Sequence, residues 1–254
     1  MSGKSVYDSE YLVRRGHDQE GTGIFRAKVA TARHYLAMAE RVVRKGALLE
    51  VGCSTGILLK EALERGWEVH GVEVNATAAS MASRAVMSDT IESRPVRPDM
   101  FPGKLFSLIL LMDVIEHIDD PVGCLTILKA KLAPAGVILM VTPDAGSLSL
   151  SLLGGGWPHL MPEHTRLYSR RSMDKLLETC GLGRISSGWA RKYVSAGVLV
   201  RHLECHPDVF LARELRALLG RLLPEHTVFP FNIGEMYVLS GAATGDASRP
   251  GPTS

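Results

Sequence analysis

Short apolar runs alternate with helix-period stretches through the middle of this chain. Ala47 to Val51 reads as a first strand, closed by a turn bracketed by Gly52 and Gly56. Ile57 to Arg65 has helical spacing, with Leu58, Leu59, Ala62 and Leu63 as its expected buried stripe and Gly66 as its stop. Trp67 to Val72 is a second strand and Ala76 to Val86 a second helix. A short third strand is expected near Thr90 to Glu92. The rest of 88–105 is irregular, with Arg94-Pro95, Arg97-Pro98 and Phe101-Pro102 steps that disfavour helix. Phe106 to Met112 is almost continuously apolar, as a parallel strand covered on both faces should be. Pro121 to Leu132 reads as a helix capped by Asp119 or Asp120, with Pro121 suited to its first turn. Val137 to Val141 reads as strand five.

The flanks follow other patterns. Residues 22–44 place Ile24, Val29, Ala32, Tyr35, Leu36, Ala39 and Val42 near one broad helical face, and Gly46 stops the pattern. This helix is expected against the sheet or over the ligand site. Residues 1–20 show no clear period, although Tyr7, Tyr11 and Leu12 could pack as a short helix. Residues 143–165 read as a loop, Ser172 to Thr179 as a helix, and Arg184 to Ala190 and Glu235 to Ser240 as strands. A leucine-rich stretch, 195–223, is expected as a helical insertion that covers the active site, lines a homodimer contact, or both. Residues 241–254 are small, polar and Pro-containing, so disorder is expected. The reading gives an N-terminal helical segment, 1–45, an α/β domain, 46–240, and a tail, 241–254.

Composition narrows the class. With 254 residues, 46% of them hydrophobic, the chain can bury a full α/β core. The net charge is +2 and the basic clusters, Arg14-Arg15 and Arg41 to Lys45, are short, so no nucleic-acid partner is expected. No apolar run approaches the roughly 18 residues of a membrane span, and no signal-peptide core opens the chain. Cysteines 53, 124, 180 and 205 form no C-x-x-C pair, which suggests reduced thiols in a cytoplasmic protein. His202, Cys205 and His206 have a spacing that a metal could use on a helix, but no clear fourth ligand accompanies them, and no metal is expected.

The strand–turn–helix–strand unit around Glu50 and Glu73 carries the chemistry. Its strand ends predict a site for an adenosine-type ligand. Glu50, just before the turn, would repel a pyrophosphate and attract a cation. A nucleoside bearing an ammonium and a sulfonium therefore fits better than a dinucleotide. Gly52 and Gly56 would let the backbone approach that ligand. Glu73 lies 21 positions after Gly52, the usual distance to an acid that accepts hydrogen bonds from ribose hydroxyls.

Leu48 to Gly56 with Gly71 to Val74, then Phe106 to Pro121, Leu132 to Leu139 and Trp157 to His164, together resemble the class I S-adenosylmethionine (SAM)-dependent methyltransferases. The pattern is similar to the small-molecule branch that includes ubiquinone-biosynthesis O-methyltransferases, and it covers roughly 45–190. The resemblance implies a Rossmann-like, doubly wound sheet of seven mostly parallel strands with an antiparallel last strand. It implies SAM as cofactor, with S-adenosylhomocysteine (SAH) as product, held by Glu50, Gly52, Cys53, Ser54, Gly56, Glu73 and Val74. Ile91 and Glu92 would hold the adenine edge. Met112 and Asp113 would border the methionine portion. Ser54 stands where relatives usually have glycine, which leaves the detailed turn open, and it counts against the G-x-G-x-x-G of a dehydrogenase. Ser107 stands where relatives tend to have aspartate and is assigned no role.

Glu116 and His117, just past strand four, are the sharpest catalytic candidates. A hydroxyl acceptor must lose a proton, and histidine titrates near neutrality. The same pair could instead brace the following helix. His164, on the loop after strand five, is a further candidate, and His159 reads more simply as a surface histidine. Trp157, Met161 and Tyr168 could wall an aromatic-accepting pocket or simply pack in the core. The expected function is methyl transfer from SAM to a small organic acceptor, at a hydroxyl oxygen. The alternatives are N- or C-methylation of a small molecule, RNA or protein, and a non-catalytic SAM-binding subunit or regulator.

Overall fold

In the computed structural model, residues 21–205 and 223–243 are described. Chain packing separates two units: residues up to 37 with 191–231, and residues 38–190 with 232 onward.

The larger unit is built on a seven-stranded sheet. Its strands are β1 (Ala47–Val51), β2 (Glu68–Val72), β3 (Ile91–Glu92), β4 (Phe106–Met112), β5 (Leu132–Pro143), β6 (Leu182–Trp189) and, numbered in chain order after a separate hairpin, β9 (Glu235–Ala242). Their order is β3-β2-β1-β4-β5-β9-β6. The pairs from β3 to β5 are parallel, and β9 runs antiparallel to both β5 and β6. This is the doubly wound sheet with an antiparallel last strand that the sequence predicts.

The apolar runs explain the layers. Leu49 and Val51 lie level with Ile109 and Leu111 of β4 and with Ile138 and Met140 of β5, all on one face. Helices α4 (Pro121–Ala130) and α6 (Arg170–Thr179) cover that face with Cys124, Leu125 and Leu128 and with Met173, Leu176 and Leu177. Leu48, Leu108 and Leu110 alternate to the opposite face and are also fully buried. Helix α2 (Ile57–Glu64) packs on β2 and on α3 (Ala76–Val86). Its buried residues are Leu58, Leu59, Glu61 and Ala62, whereas Leu63 is exposed, so the expected stripe is corrected there. Asp120 caps α4 by accepting from the Gly123 N–H at 2.9 Å.

Several boundaries differ from the sequence reading for reasons of pairing. Strand β5 begins at Leu132, which pairs with Phe106 ahead of a register shift, and ends at Pro143, which pairs with Glu235. Pairing across the sheet, which a local apolar pattern does not report, sets both ends. The 143–165 loop contains a short helix, α5 (Leu148–Leu153), capped by Ser147.

The smaller unit comprises most of α1 (Gly23–Ala39), a hairpin of β7 (Lys192–Ser195) and β8 (Val228–Phe231), and α7 (Ala196–Cys205). Tyr35 is fully buried and its Oη accepts the Arg191 N–H at 2.9 Å, while Thr31 Oγ1 accepts the Tyr193 N–H at 3.0 Å. Part of the expected 195–223 helix is therefore α7. Its remainder, like Tyr7, Tyr11, Leu12, the side chains of His202, Cys205 and His206, and nearly all of the tail, lies outside the described residues. Among the described residues, no helix is long and apolar enough to cross a membrane.

One polar cluster in the larger unit yields a stability prediction. Glu40 accepts from Arg65 through both carboxylate oxygens, at 3.0 and 2.5 Å, and from Trp67 Nε1 at 3.1 Å. The Arg65 hydrogen bond leads the causes that hold its carboxyl down at about 2, from an ordinary 4.5. A depressed folded-state pKa contributes stability that is complete above 4.5 and is lost as pH falls towards 2. Denaturant melts should show unfolding free energy declining through that window. Glu40→Gln should flatten the decline, and an unchanged pH profile would count against the linkage.

Candidate functional site

The site forms where the chain leaves β1, β2 and β4. Gly52 N–H and Cys53 N–H both donate to Val72 O, at 2.8 and 3.2 Å, which stitches the turn after β1 to the end of β2. Glu73 continues that seam. Its Oε2 accepts the Ser54 N–H and its Oε1 the Asn75 N–H, each at 2.9 Å. Both carboxylate oxygens are thus aimed by the backbone, and each retains a further lone pair.

A cavity of about 390 Å³ opens beside this seam, within the size range of small-molecule sites. Its walls are mainly apolar: Val51, Val72, Val74, Pro95, Val96, Val114, Ile118 and Ile127, with Cys124. The polar groups that meet it are Glu73, Arg94, His117 and Asp120. Val74 is 68% exposed and faces this space, an unusual position for a valine unless something apolar or aromatic lies on it. Gly52 also lines the cavity, at φ +68°, and a Cβ there would meet Val114 Cγ2 at 2.7 Å. The absence of a side chain at 52 keeps that corner open.

Of the sequence-predicted cofactor residues, Gly52, Glu73 and Val74 line the cavity. Glu50 does not. It is buried at 5% exposure, level with Leu110 on the face opposite Val51. Cys53 is also buried, with its Sγ against Gly71, and burial reinforced by Glu50 and Glu73 pushes its thiol well up, so it stays protonated. Ser54 adopts φ +48°, the region that a glycine would take freely, at a cost of about 1–2 kcal/mol. The turn therefore keeps its glycine-type geometry despite the serine. Gly56 sits against Ala82 of α3 and away from the cavity lining, so close ligand approach is not its role.

Ile91 and Glu92 form β3 but do not line the cavity. Glu92 is occupied elsewhere: its Oε2 accepts from Arg94 Nε at 2.6 Å and its Oε1 from the Phe101 N–H at 3.3 Å. Arg94, Pro95 and Val96 take that wall instead. The irregular 88–105 stretch concealed them, because Arg-Pro steps signal a loop and not which way it faces. Val114 and Ile118 belong to the quoted Asp113-to-Asp120 motif, and their neighbours Glu116 and His117 drew attention away from them. Met112 is half-buried at the tip of β4, and Asp113 is exposed at φ +56° with its N–H on Val141 O.

Glu116, His117 and His164 come together. Ile115–His117 forms one 3-10 turn, and Glu116 O accepts Thr165 Oγ1 at 3.1 Å and the Arg166 N–H at 3.2 Å, which fastens the later loop to it. The His117 and His164 rings meet edge to face, 4.8 Å between centroids, and His159 stacks on His164 at 6.3 Å. Burial, with help from neighbouring His117, lowers the pKa of His164, which favours its neutral form. Among the three, His117 reaches the cavity wall. Trp157 is buried and donates through Nε1 to Ser149 Oγ and Ile233 O, and Tyr168 lies in the core cluster. Both are packing residues, while Met161 is exposed.

Comparison with known proteins agrees with this geometry. The profile of a family described as a methyltransferase domain matches residues 24–186, more than half of the chain. A ubiquinone biosynthesis O-methyltransferase of Cereibacter sphaeroides is 28% identical over 130 residues, covering 48% of this chain and 53% of that protein. One from Psychrobacter cryohalolentis is 29% identical over 102 residues, covering 37% and 40%. The chain thus spans about half the length of the curated relatives that it matches, or less. Among solved structures, a SAM-dependent methyltransferase from Archaeoglobus fulgidus superposes with TM-score 0.59 at 15% identity, covering 92% of this chain and 99% of that one. Magnesium protoporphyrin IX methyltransferase from Synechocystis, solved with bound SAH, gives TM-score 0.56 at 11% identity, covering 91% and 93%. The chain belongs to the methyltransferase-domain family, and its fold is that of SAM-dependent methyltransferases.

Proposed function

We propose that this chain transfers a methyl group from SAM to a hydroxyl oxygen of a small organic acceptor. The observation that carries this reading is Glu73: a carboxylate at the end of β2, aimed by two backbone N–H groups, on the wall of a mostly apolar cavity. Its remaining lone pairs suit the two hydroxyls of a ribose, and charge-assisted hydrogen bonds of that kind are the stronger ones. The cavity's dimensions and the open corner at Gly52 fit an adenosine moiety.

In this reading Val74, Pro95 and Val96 pack on the adenine, and Arg94 takes the polar edge that Glu92 leaves. The turn at Gly52, Cys53 and Ser54, with Met112 and Asp113 opposite, borders the methionine portion. Glu50 acts by its charge, which favours a cationic ligand in the turn beside it. SAM, when bound, supplies a methyl carbon on a sulfonium sulfur that departs as a neutral thioether. The chain's own residues must orient the acceptor oxygen in line with that carbon and remove its proton. His117, at the cavity wall and braced by Glu116 and His164, is placed to take it. The curated relatives named as O-methyltransferases support oxygen as the acceptor atom. The buried free thiols of Cys53, Cys124 and Cys180 fit a cytoplasmic location.

Calorimetry on Glu73→Ala tests the reading. The variant should lose roughly 1.5–3 kcal/mol of SAM affinity, about 10- to 150-fold. Unchanged affinity would remove the ribose assignment and, with it, the main support for the site.

A further inference from the structure

The Glu116–His117–His164 cluster has features that proton transfer alone does not require. One candidate ligand atom from each residue lies within 4.8 Å of those of the other two. His117 Nδ1 is 2.8 Å from Glu163 O, and His164 Nδ1 is 2.8 Å from His159 O. A carbonyl oxygen can only accept, so each Nδ1 carries the proton and each neutral ring keeps its lone pair on Nε2. Two imidazoles are thus held in the same tautomer by the backbone of one loop, the second-shell arrangement typical of metal-bound histidines. The Glu116 carboxylate is fully buried, and its Oε2 accepts Thr142 Oγ1 at 2.9 Å. That hydroxyl orients the carboxylate without neutralising it.

We propose that Glu116, His117 and His164 bind one divalent first-row transition ion, of which zinc is the representative. The donor set of two neutral imidazoles and one carboxylate suits such ions better than magnesium or calcium, which favour all-oxygen sites. Ligands on a tetrahedral or octahedral ion with bonds of about 2.1 Å stand about 3.0–3.4 Å apart. Small side-chain rotations close the present spacing to that. Three protein ligands leave a coordination position open, and His117 places the cluster at the cavity wall. An acceptor hydroxyl entering that position would lose its proton more readily. The sequence reading expected no metal, because residues 116, 117 and 164 are far apart in the chain and only the loop after β5 brings the last of them in.

The role given to the ion rests on the methyl-transfer reading, but its binding does not, and the two are measured separately. Protein stripped with EDTA should be titrated with Co2+ alone, following visible d–d absorption, and with Zn2+ by calorimetry. The expected result is one ion per chain, with affinity reduced at least 100-fold in both His117→Asn and His164→Asn. Circular dichroism confirms that the variants fold, and Glu116, fully buried, is left intact for that reason. Absence of d–d bands in the wild type, or isotherms unchanged by both substitutions, would overturn the metal site. Calorimetry with SAM on the same stripped protein separates the readings. Ion binding without SAM binding would sink methyl transfer and leave the site, and SAM binding without ion binding would do the reverse.

Discussion

His117→Ala should lower turnover by about 10²- to 10⁴-fold, the range expected when a proton-removing group is lost. SAM affinity should stay within a few-fold of wild type. The split follows from position. His117 meets the cavity along its wall, whereas the ribose acid, Glu73, and the apolar faces of Val74, Pro95 and Val96 are untouched by the substitution. Its ring is held by Glu163 O and packed edge-on to His164. Removing it therefore costs one hydrogen bond and one ring contact but no part of the sheet. Release of SAH, measured across a panel of phenols and other hydroxyl compounds, reads turnover, and calorimetry reads SAM. Full activity with every acceptor that the wild type methylates would exclude His117 from proton removal. Loss of SAM binding in step with activity would instead place the residue in the cofactor site. Added imidazole distinguishes two ways of losing activity: partial rescue is expected if the ring's nitrogen is the missing group.

How much of this was legible beforehand depends on what each residue answers to. Ala47–Val51, Ala76–Val86 and Phe106–Met112 were readable because their hydrophobic pattern is set locally, by one strand or one helix against one layer. Glu73 was readable because the distance between two strand ends across a βαβ unit is nearly fixed. Glu92 misled because its ion pair with Arg94 turns on a loop geometry that no periodicity encodes. Glu50 was correctly seen as a buried acid in a motif, but strand alternation puts it on the face away from the cavity-lining Val51. The β7–β8 hairpin was not foreseen, since Lys192–Ser195 and Val228–Phe231 are short and far apart in sequence. The histidine cluster was half legible. Glu116 and His117 stood out as a motif, whereas the role of His159 O in fixing His164 is a backbone contact, invisible in side-chain identities.

Gly56→Ala should be the most destabilising single methyl in the motif turn, and the reason is packing against a helix. Gly56 has φ +82°, where an alanine costs about 1–2 kcal/mol. Its added Cβ would also lie 2.9 Å from Ala82 Cα and 3.0 Å from Ala82 Cβ. The first of these is backbone in the middle of α3 and cannot swing aside. Overpacking of this kind adds about 1–3 kcal/mol, for a total of about 2–5 kcal/mol. At 2–4 °C per kcal/mol for a domain of this size, Tm should fall by roughly 5–15 °C. Gly66 supplies the control. It has nearly the same φ, +86°, but a Cβ there meets nothing within 4 Å. Gly66→Ala should therefore show the backbone cost alone, and the difference between the two variants isolates the contact with Ala82. Equal melting temperatures would mean that α2 and α3 can separate at no cost. The turn's shape would then be set by the Glu73 hydrogen bonds and not by the packing of the two helices behind it.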